Sequence, residues 1–256
     1  MPRLPLPSPL LENLPAAPQA YVVGGTVRDL LMQRHPTDID IAVDGDAALF
    51  AGAIADRLRG RVIPMGKPGL ITHRVTGRGL LIDVTGLAGD TLENDLRRRD
   101  FTVNAMAYDL HHHRLIDMLD GQGDMAARRI RMVTEQAFID DPLRLLRAFR
   151  MAAVLDFAIE PETLAAITRQ GYRISRPAGE RLRTELLQLM ACPASAHQIQ
   201  VMSDSGLLLH LLPEMQPMQH CRQNRHHDFD VYEHTLRAYA ATEKCLQNAS
   251  DIVDAL

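Results

Sequence analysis

Two aspartates spaced by a single residue, Asp38 and Asp40, sit in the run Pro36-Thr37-Asp38-Ile39-Asp40-Ile41. On a strand, side chains at i and i+2 project from the same face. The two charges then repel unless a cation lies between them. A pair of Mg²⁺ ions would relieve that repulsion and hold a triphosphate for in-line attack. A solvated strand end is the competing reading of the same residues. The run just upstream favours the metal: Tyr21-Val22-Val23-Gly24-Gly25-Thr26-Val27-Arg28-Asp29-Leu30-Leu31 is an apolar strand breaking into two glycines, with an arginine at the head of an expected helix. Glycines let backbone N–H groups approach an anion, a helix N-terminus adds a favourable dipole, and Arg28 adds a full charge. Gly24, Gly25 and Arg28 are therefore candidates for a phosphate cradle. No GxxxxGK[ST] occurs anywhere in the sequence, which speaks against a Walker-type ATPase.

Three further groups could join this chemistry. Ile82-Asp83-Val84 places another carboxylate on an expected strand, either as a third acid beside Asp38 and Asp40 or as a strand-end residue. In Asp95-Leu96-Arg97-Arg98-Arg99-Asp100-Phe101-Thr102-Val103-Asn104, three arginines abut an aspartate and an aromatic residue ahead of what reads as an apolar helix. A nucleotide site needs such a mixture: arginine for phosphates, a carboxylate for a ribose hydroxyl, and an amide to fix geometry. The alternative is a charged helix start capped by Asp100. In Asp140-Asp141-Pro142-Leu143-Arg144, Asp141 and Arg144 share a helix face, with Arg147 nearby. A carboxylate accepts from an exocyclic amine and a guanidinium donates to ring acceptors, so the pair could read the Watson–Crick edge of C or A. A plain cap with an intrahelical ion pair is the competing reading. The histidines are scattered: His111, His112 and His113 read as a solvent-facing turn, and His226, His227 and His234 in the tail lack the further His-Asp pair that a metal phosphohydrolase helix needs.

These residues must be carried by two kinds of architecture. To about residue 125 the pattern is α/β, with strands expected at Val22-Val23, Ile39 to Ile41, Arg61 to Ile63, Arg74-Val75 and Leu80 to Val84, and helices after Arg28 and across Ala47 to Leu58. Gly77 and Gly79 punctuate the later strands as turns. From Thr134 the periodicity is helical. Asp141-Pro142 reads as an N-cap and N1 pair opening a helix with Leu145, Leu146, Phe149 and Ala153 on one stripe. Further helices are expected over Pro161 to Thr168, Gly179 to Met190 and Ala194 to Met202, and from Asp230 through His234 to Cys245.

Composition sets bounds. The 256 residues suffice for one large or two small domains; 46% hydrophobic and 23% charged content is ordinary for a globular chain. No apolar run reaches membrane-spanning length. Cys192, Cys221 and Cys245 have neither metal nor disulfide spacing, so a reducing cytoplasm is the simplest setting. The net charge of −4 does not advertise a nucleic-acid binder. Between Arg128 and Arg183, however, eleven arginines stand against seven acids with no lysine, and arginine suits bidentate contacts to phosphate or base edges. Solvated helix faces account for part of that set.

Four ordered runs, GGTVRDLL…PTDIDI, DLRRRDFTVNAMAY, DDPLRLLRAFRMAA and ERLRTELLQLM, resemble the class II CCA-adding tRNA nucleotidyltransferase and bacterial poly(A) polymerase family over about residues 20 to 245. The resemblance implies an α+β fold: a lead-in over 1–19, a nucleotidyltransferase head of mixed sheet and helices over 20–125, a helical neck with a base-recognition helix over 126–192, and a helical body and tail over 193–256. It implies Asp38 and Asp40 as Mg²⁺ ligands, and Gly25 and Arg28 at the triphosphate. Arg98, Arg99 and Asp100 would hold phosphate and ribose, and Asp141 and Arg144 would be the protein template for the incoming base. Glu180, Arg181 and Arg183 would support the neck. The implied activity is template-independent addition of C, A or both to the tRNA 3′ end from CTP and ATP, with release of pyrophosphate. Only Thr85 to Asp95 separate the third-acid strand from Leu96, a short segment that resembles enzymes adding CC alone. A poly(A) polymerase and a non-catalytic RNA-binding protein on the same head are the rival expectations. Gln219 to Arg237 resembles the lead into a histidine–aspartate phosphohydrolase-like domain of longer members, here cut short.

Overall fold

Strand alternation builds the N-terminal half. In Ile39–Asp44 (β2), Ile39, Ile41 and Val43 are buried, while Asp40 projects from the opposite face. The computed structural model describes residues 4–7, 10, 15, 18–67, 70–89, 91–193, 195–221 and 228–254. They form an α+β unit, Met1–Ala126, and a helical unit, Ala127–Leu256.

The first unit also contains strands Gln19–Val23 (β1), Arg61–Lys67 (β3), Leu70–Gly77 (β4), Leu80–Gly86 (β5), Ala107–Asp109 (β6) and Arg114–Ile116 (β7), and helices Gly25–Leu31 (α1), Ala47–Leu58 (α2), Leu92–Arg97 (α3) and Gly121–Ala126 (α4). The seven strands run in the order β3-β4-β5-β2-β1-β6-β7, with only the β2–β5 pair parallel. Helix α2 packs Phe50, Ile54 and Leu58 on one sheet face, against Ile41, Val75, Ile82 and Val84. Asp46 opens that helix by accepting from the N–H groups of Ala48 and Leu49 at 2.9 and 3.0 Å. Leu4, Leu6 and Leu10 of the lead-in are buried in the same core.

On the other face, α3 lays Leu96 over Val23, Ala42 and Ala107. Burial of that leucine contributes about 1.5–3 kcal/mol and fixes the arginines that follow it. The helix expected after Asp100 is not there. A 3-10 turn, Thr102–Asn104, leads directly into β6, which pairs with β1 and β7. Val103, Ala105, Met106 and Ala107 are all buried, so the run has no polar phase to betray its period, and long-range pairing with β1 decides its conformation.

The helical unit is centred on Leu143–Leu155 (α6), whose Leu145, Leu146 and Phe149 are fully buried. Gln136–Asp140 (α5), Pro161–Gln170 (α7), Gly179–Met190 (α8), Ser195–Asp204 (α9), Leu207–Leu211 (α10) and Val231–Asp254 (α11) complete it, with two-residue strands Arg129–Ile130 (β8) and Ala158–Ile159 (β9) paired in parallel. Helix α6 starts one residue beyond the expected N1. Asp141 is extended (φ −139°, ψ 95°), and its Oδ1 accepts from the Leu143 N–H at 3.3 Å, so its side chain still reaches the first turn. The turn carrying His111 to His113 joins β6 to β7. His112 is exposed there, whereas His111 is half-buried with Nε2 3.0 Å from the Pro15 carbonyl oxygen. His226 and His227 lie outside the described residues, and His234 is on α11. Among the described residues, no helix is long and apolar enough to cross a membrane.

Candidate active site

The register of the sheet assembles the acids. Asp40 on β2 is directly opposite Asp83 on the parallel neighbour β5, and Asp38 lies just before β2. Carboxylate oxygens of Asp38, Asp40 and Asp83 lie within 4.8 Å of one another. Burial, reinforced by the neighbouring Asp38 charge, pushes the Asp40 carboxyl up to about 6. The three half-buried groups offer only hard oxygen donors, a set suited to a divalent cation of the Mg²⁺ type.

The counter-charges come from two directions. Arg74, on β4, faces Asp83 across the β4–β5 pair and grips both its oxygens: Nε to Oδ1 at 2.8 Å and Nη2 to Oδ2 at 2.6 Å. Arg99 comes from beyond α3. Its Nε and Nη2 donate to Asp95 Oδ2 at 3.1 and 2.7 Å, and its positive charge opposes the rise at Asp40. Asp95 is 7% exposed and also accepts from the Ala88 N–H at 3.3 Å, so the arginine is aimed by a buried anchor.

The turn between β1 and α1 borders the acids. Gly24 has φ +71° and ψ −141°, a conformation that L residues with a side chain avoid. A Cβ there would lie 2.7 Å from Arg99 Nη1 and 3.7 Å from Asp40 Oδ2. The turn is tied to the acid strand by Thr26, whose Oγ1 accepts from the Asp40 N–H at 3.0 Å and donates to the Asp38 carbonyl at 3.4 Å. Next to Gly25, Arg28 is 9% exposed; its guanidinium pairs with Asp29 at 2.7 Å and donates to Asn104 Oδ1 at 2.5 Å. Asn104 Nδ2 donates to Asp100 Oδ1 at 3.0 Å, and that oxygen also accepts from the Phe101 N–H at 2.8 Å. Asp100 is buried and Arg98 exposed. Arg28, Asn104 and Asp100 thus form one hydrogen-bonded chain beside the glycine turn.

Asp141, Arg144 and Arg147 lie at the start of α6, in the helical unit. Asp141 Oδ2 accepts from Arg181 Nη2 at 2.8 Å, and Arg144 Nη1 donates to the Ala137 carbonyl at 3.2 Å. Glu185 on α8, 7% exposed, takes Arg147 Nε at 3.2 Å and Arg150 Nε at 2.6 Å. A groove of about 280 Å³, lined by Leu143, Arg147, Glu180, Arg181, Thr184 and Glu185, lies between α6 and α8.

Sequence reasoning did not find Thr26, Arg74, Asp95 or Glu185. A signal existed for Arg74. Arg78 and Gly79, both at positive φ, form a two-residue hairpin loop, and counting back from the Gly77–Leu80 pair puts Arg74 opposite Asp83.

Residues 20–131 match the poly A polymerase head domain, and residues 156–219 match a probable RNA and SrmB-binding site of polymerase A. A CC-adding tRNA nucleotidyltransferase of Synechocystis sp. is 39% identical over 75% of this chain and 47% of its own length. An A-adding tRNA nucleotidyltransferase of Deinococcus radiodurans is 39% identical over 88% of this chain and 52% of its own. Among solved structures, the Thermotoga maritima CCA-adding enzyme complexed with tRNA superposes with a TM-score of 0.71 at 37% identity, covering 77% of this chain and 48% of that one. The chain thus spans about half the length of these relatives.

Proposed function

Because this chain belongs to the poly(A) polymerase and tRNA nucleotidyltransferase family, we propose that it is a nucleotidyltransferase that extends the tRNA 3′ end with C, A or both, from CTP and ATP, without a nucleic-acid template. The observation that carries the reading is the Asp38–Asp40 pair lying against the Gly24 turn and Arg99. Relatives solved with CTP and with ATP support the choice of substrates. A tRNA substrate also sets the compartment we assign, the cytoplasm.

Asp38 and Asp40 are the residues that would hold Mg²⁺, which when bound neutralises triphosphate oxygens and favours the 3′-alkoxide. Asp83 is the third acid of the centre, held in place by Arg74. The Gly24-Gly25 turn, Arg28 and Arg99 bind the triphosphate, and the fixed donors stabilise charge on the departing pyrophosphate. The RNA 3′-oxygen bonds to the α-phosphorus as the bond to pyrophosphate breaks, and the hydroxyl proton leaves to solvent. Arg98 contributes charge toward the phosphates, with Asp100 and Asn104 shaping the ribose side. Asp141 and Arg144, with Arg147 beside them, read the base: a carboxylate matches the exocyclic amine shared by C and A, and the wrong polarity of U or G costs about 1–3 kcal/mol per bidentate pair.

The test is incorporation of labelled CTP and ATP into tRNA lacking its 3′ end, with products sized nucleotide by nucleotide. Two additions with CTP alone and a third when ATP is present define CCA addition; a stop after two with both triphosphates defines the CC-only form. Absence of incorporation from either triphosphate in Mg²⁺ removes the proposal.

A further inference from the structure

One row of side chains crosses four strands on the acid face. Asp40 on β2 is opposite Asp83 on β5, Asp83 is opposite Arg74 on β4, and Arg74 is opposite Ile63 on β3. The two halves of this face differ. On the β1 side the turn at Gly24, Arg99 and helix α3 close over it, with Leu96 buried on Val23, Ala42 and Ala107. On the β3 side Ile63 is 49% exposed, Arg61 is exposed, and Thr76, opposite Arg61, and Thr72, opposite Met65 on the same face, are half-exposed.

We infer that the open face of β4 and β3, with Arg74 at its inner edge and Arg61 and Ile63 beyond, seats the last nucleotides of the RNA 3′ end. The inference rests on the nucleotidyl-transfer reading. In an in-line displacement the attacking oxygen arrives opposite the departing pyrophosphate. The groups assigned to the triphosphate all lie on the β1 side of the acids, so the attacking strand approaches over β5, β4 and β3. The chemistry of that face fits a polyanion with apolar base surfaces. Arg74 spends Nε and Nη2 on Asp83, which leaves its guanidinium fixed beside the acids at 32% side-chain exposure. Arg61 adds a second cation, and Ile63 between them offers an apolar platform. Three interstrand steps separate Asp40 from Ile63, a distance of about 14 Å at about 4.8 Å per step, long enough for the final few nucleotides of a single strand.

The test uses the 256-residue chain and a hairpin RNA with a single-stranded 3′ tail whose last nucleotide is 4-thiouridine. Photo-crosslinking is expected to map to peptides within residues 61–76. Crosslinks confined to Gly24–Leu31 or to the helical unit overturn the inference. In a second arm, Arg61→Glu and Ile63→Asp, neither of which touches the acids, should each raise KM for tRNA about tenfold with KM for CTP unchanged within about twofold. Both variants should unfold with the wild-type midpoint. Unchanged tRNA KM in both variants also overturns it. A wild-type chain that crosslinks at 61–76 yet incorporates no nucleotide sinks the proposed activity and leaves the RNA seat standing; incorporation that is indifferent to both variants does the reverse.

Discussion

Replacing Asp40 by asparagine should stabilise the metal-free protein near neutral pH while abolishing nucleotide addition. The carboxyl is pushed up from 3.8 to about 6, chiefly by burial and then by Asp38. A displacement of about two units corresponds to roughly 3 kcal/mol, because each unit is worth about 1.36 kcal/mol. The sign follows from proton counts. Between pH 4 and 6 the unfolded chain has released this proton while the native state keeps it, so stability falls as pH rises through that window. Above it, the folded protein carries an unfavourably placed charge that Asp40→Asn removes. Some of the gain is lost because the amide must also satisfy its new donor, so about 1–3 kcal/mol is expected at pH 7.5. Urea unfolding in EDTA, run at pH 7.5 and at pH 3.5, measures it. The gain should be present at the first pH and nearly absent at the second, where both forms of residue 40 are neutral. An equal gain at both pH values, or none at pH 7.5, would show that the charge is not strained in the native state.

The remaining predictions address the other parts of the site. Asp38→Ala should lower CTP incorporation by at least about a hundredfold, since it removes half of the cation-holding pair; tRNA affinity, measured by filter binding, should stay within a factor of two. Gly24→Ala introduces a Cβ 2.7 Å from Arg99 Nη1 at a φ of +71°; a cost of about 1–3 kcal/mol in thermal or urea unfolding is expected, and a wild-type melting curve would contradict it. Glu185→Gln takes the charge from the shared partner of Arg147 and Arg150. Breaking a buried ion pair costs about 3–5 kcal/mol; the amide keeps one of the two hydrogen bonds, since its nitrogen cannot accept from the second arginine, so the expected urea-unfolding loss falls within that range. Arg181→Ala breaks an ion pair whose arginine is 52% exposed, so stability should change by less than about 1 kcal/mol. A drop in discrimination between CTP and UTP in that variant would instead reveal that Arg181 orients Asp141 for base reading.

Much of this protein is written locally. The alternation Ile39-Asp40-Ile41 dictates a strand with one buried and one acidic face, and the structure places Asp38, Asp40 and Asp83 within 4.8 Å of one another. The two glycines announce a tight turn, and Gly24 adopts a backbone that only glycine takes comfortably. The apolar stripe of α6 follows from its 3.6-residue period, and its leucines are buried. What the tertiary structure alone decided are contacts between residues far apart in the chain. Arg28 meets Asn104 across 76 positions, and Arg147 meets Glu185 across 38. The segment after Asp100 becomes a turn and a strand because β1 offers it an edge to pair with. A short-range pattern records which face of an element is apolar, because burial of that face is repeated every two or 3.6 residues. It holds no record of which distant partner will supply the counter-charge or the open strand edge, because those energies exist only once the chain has closed on itself.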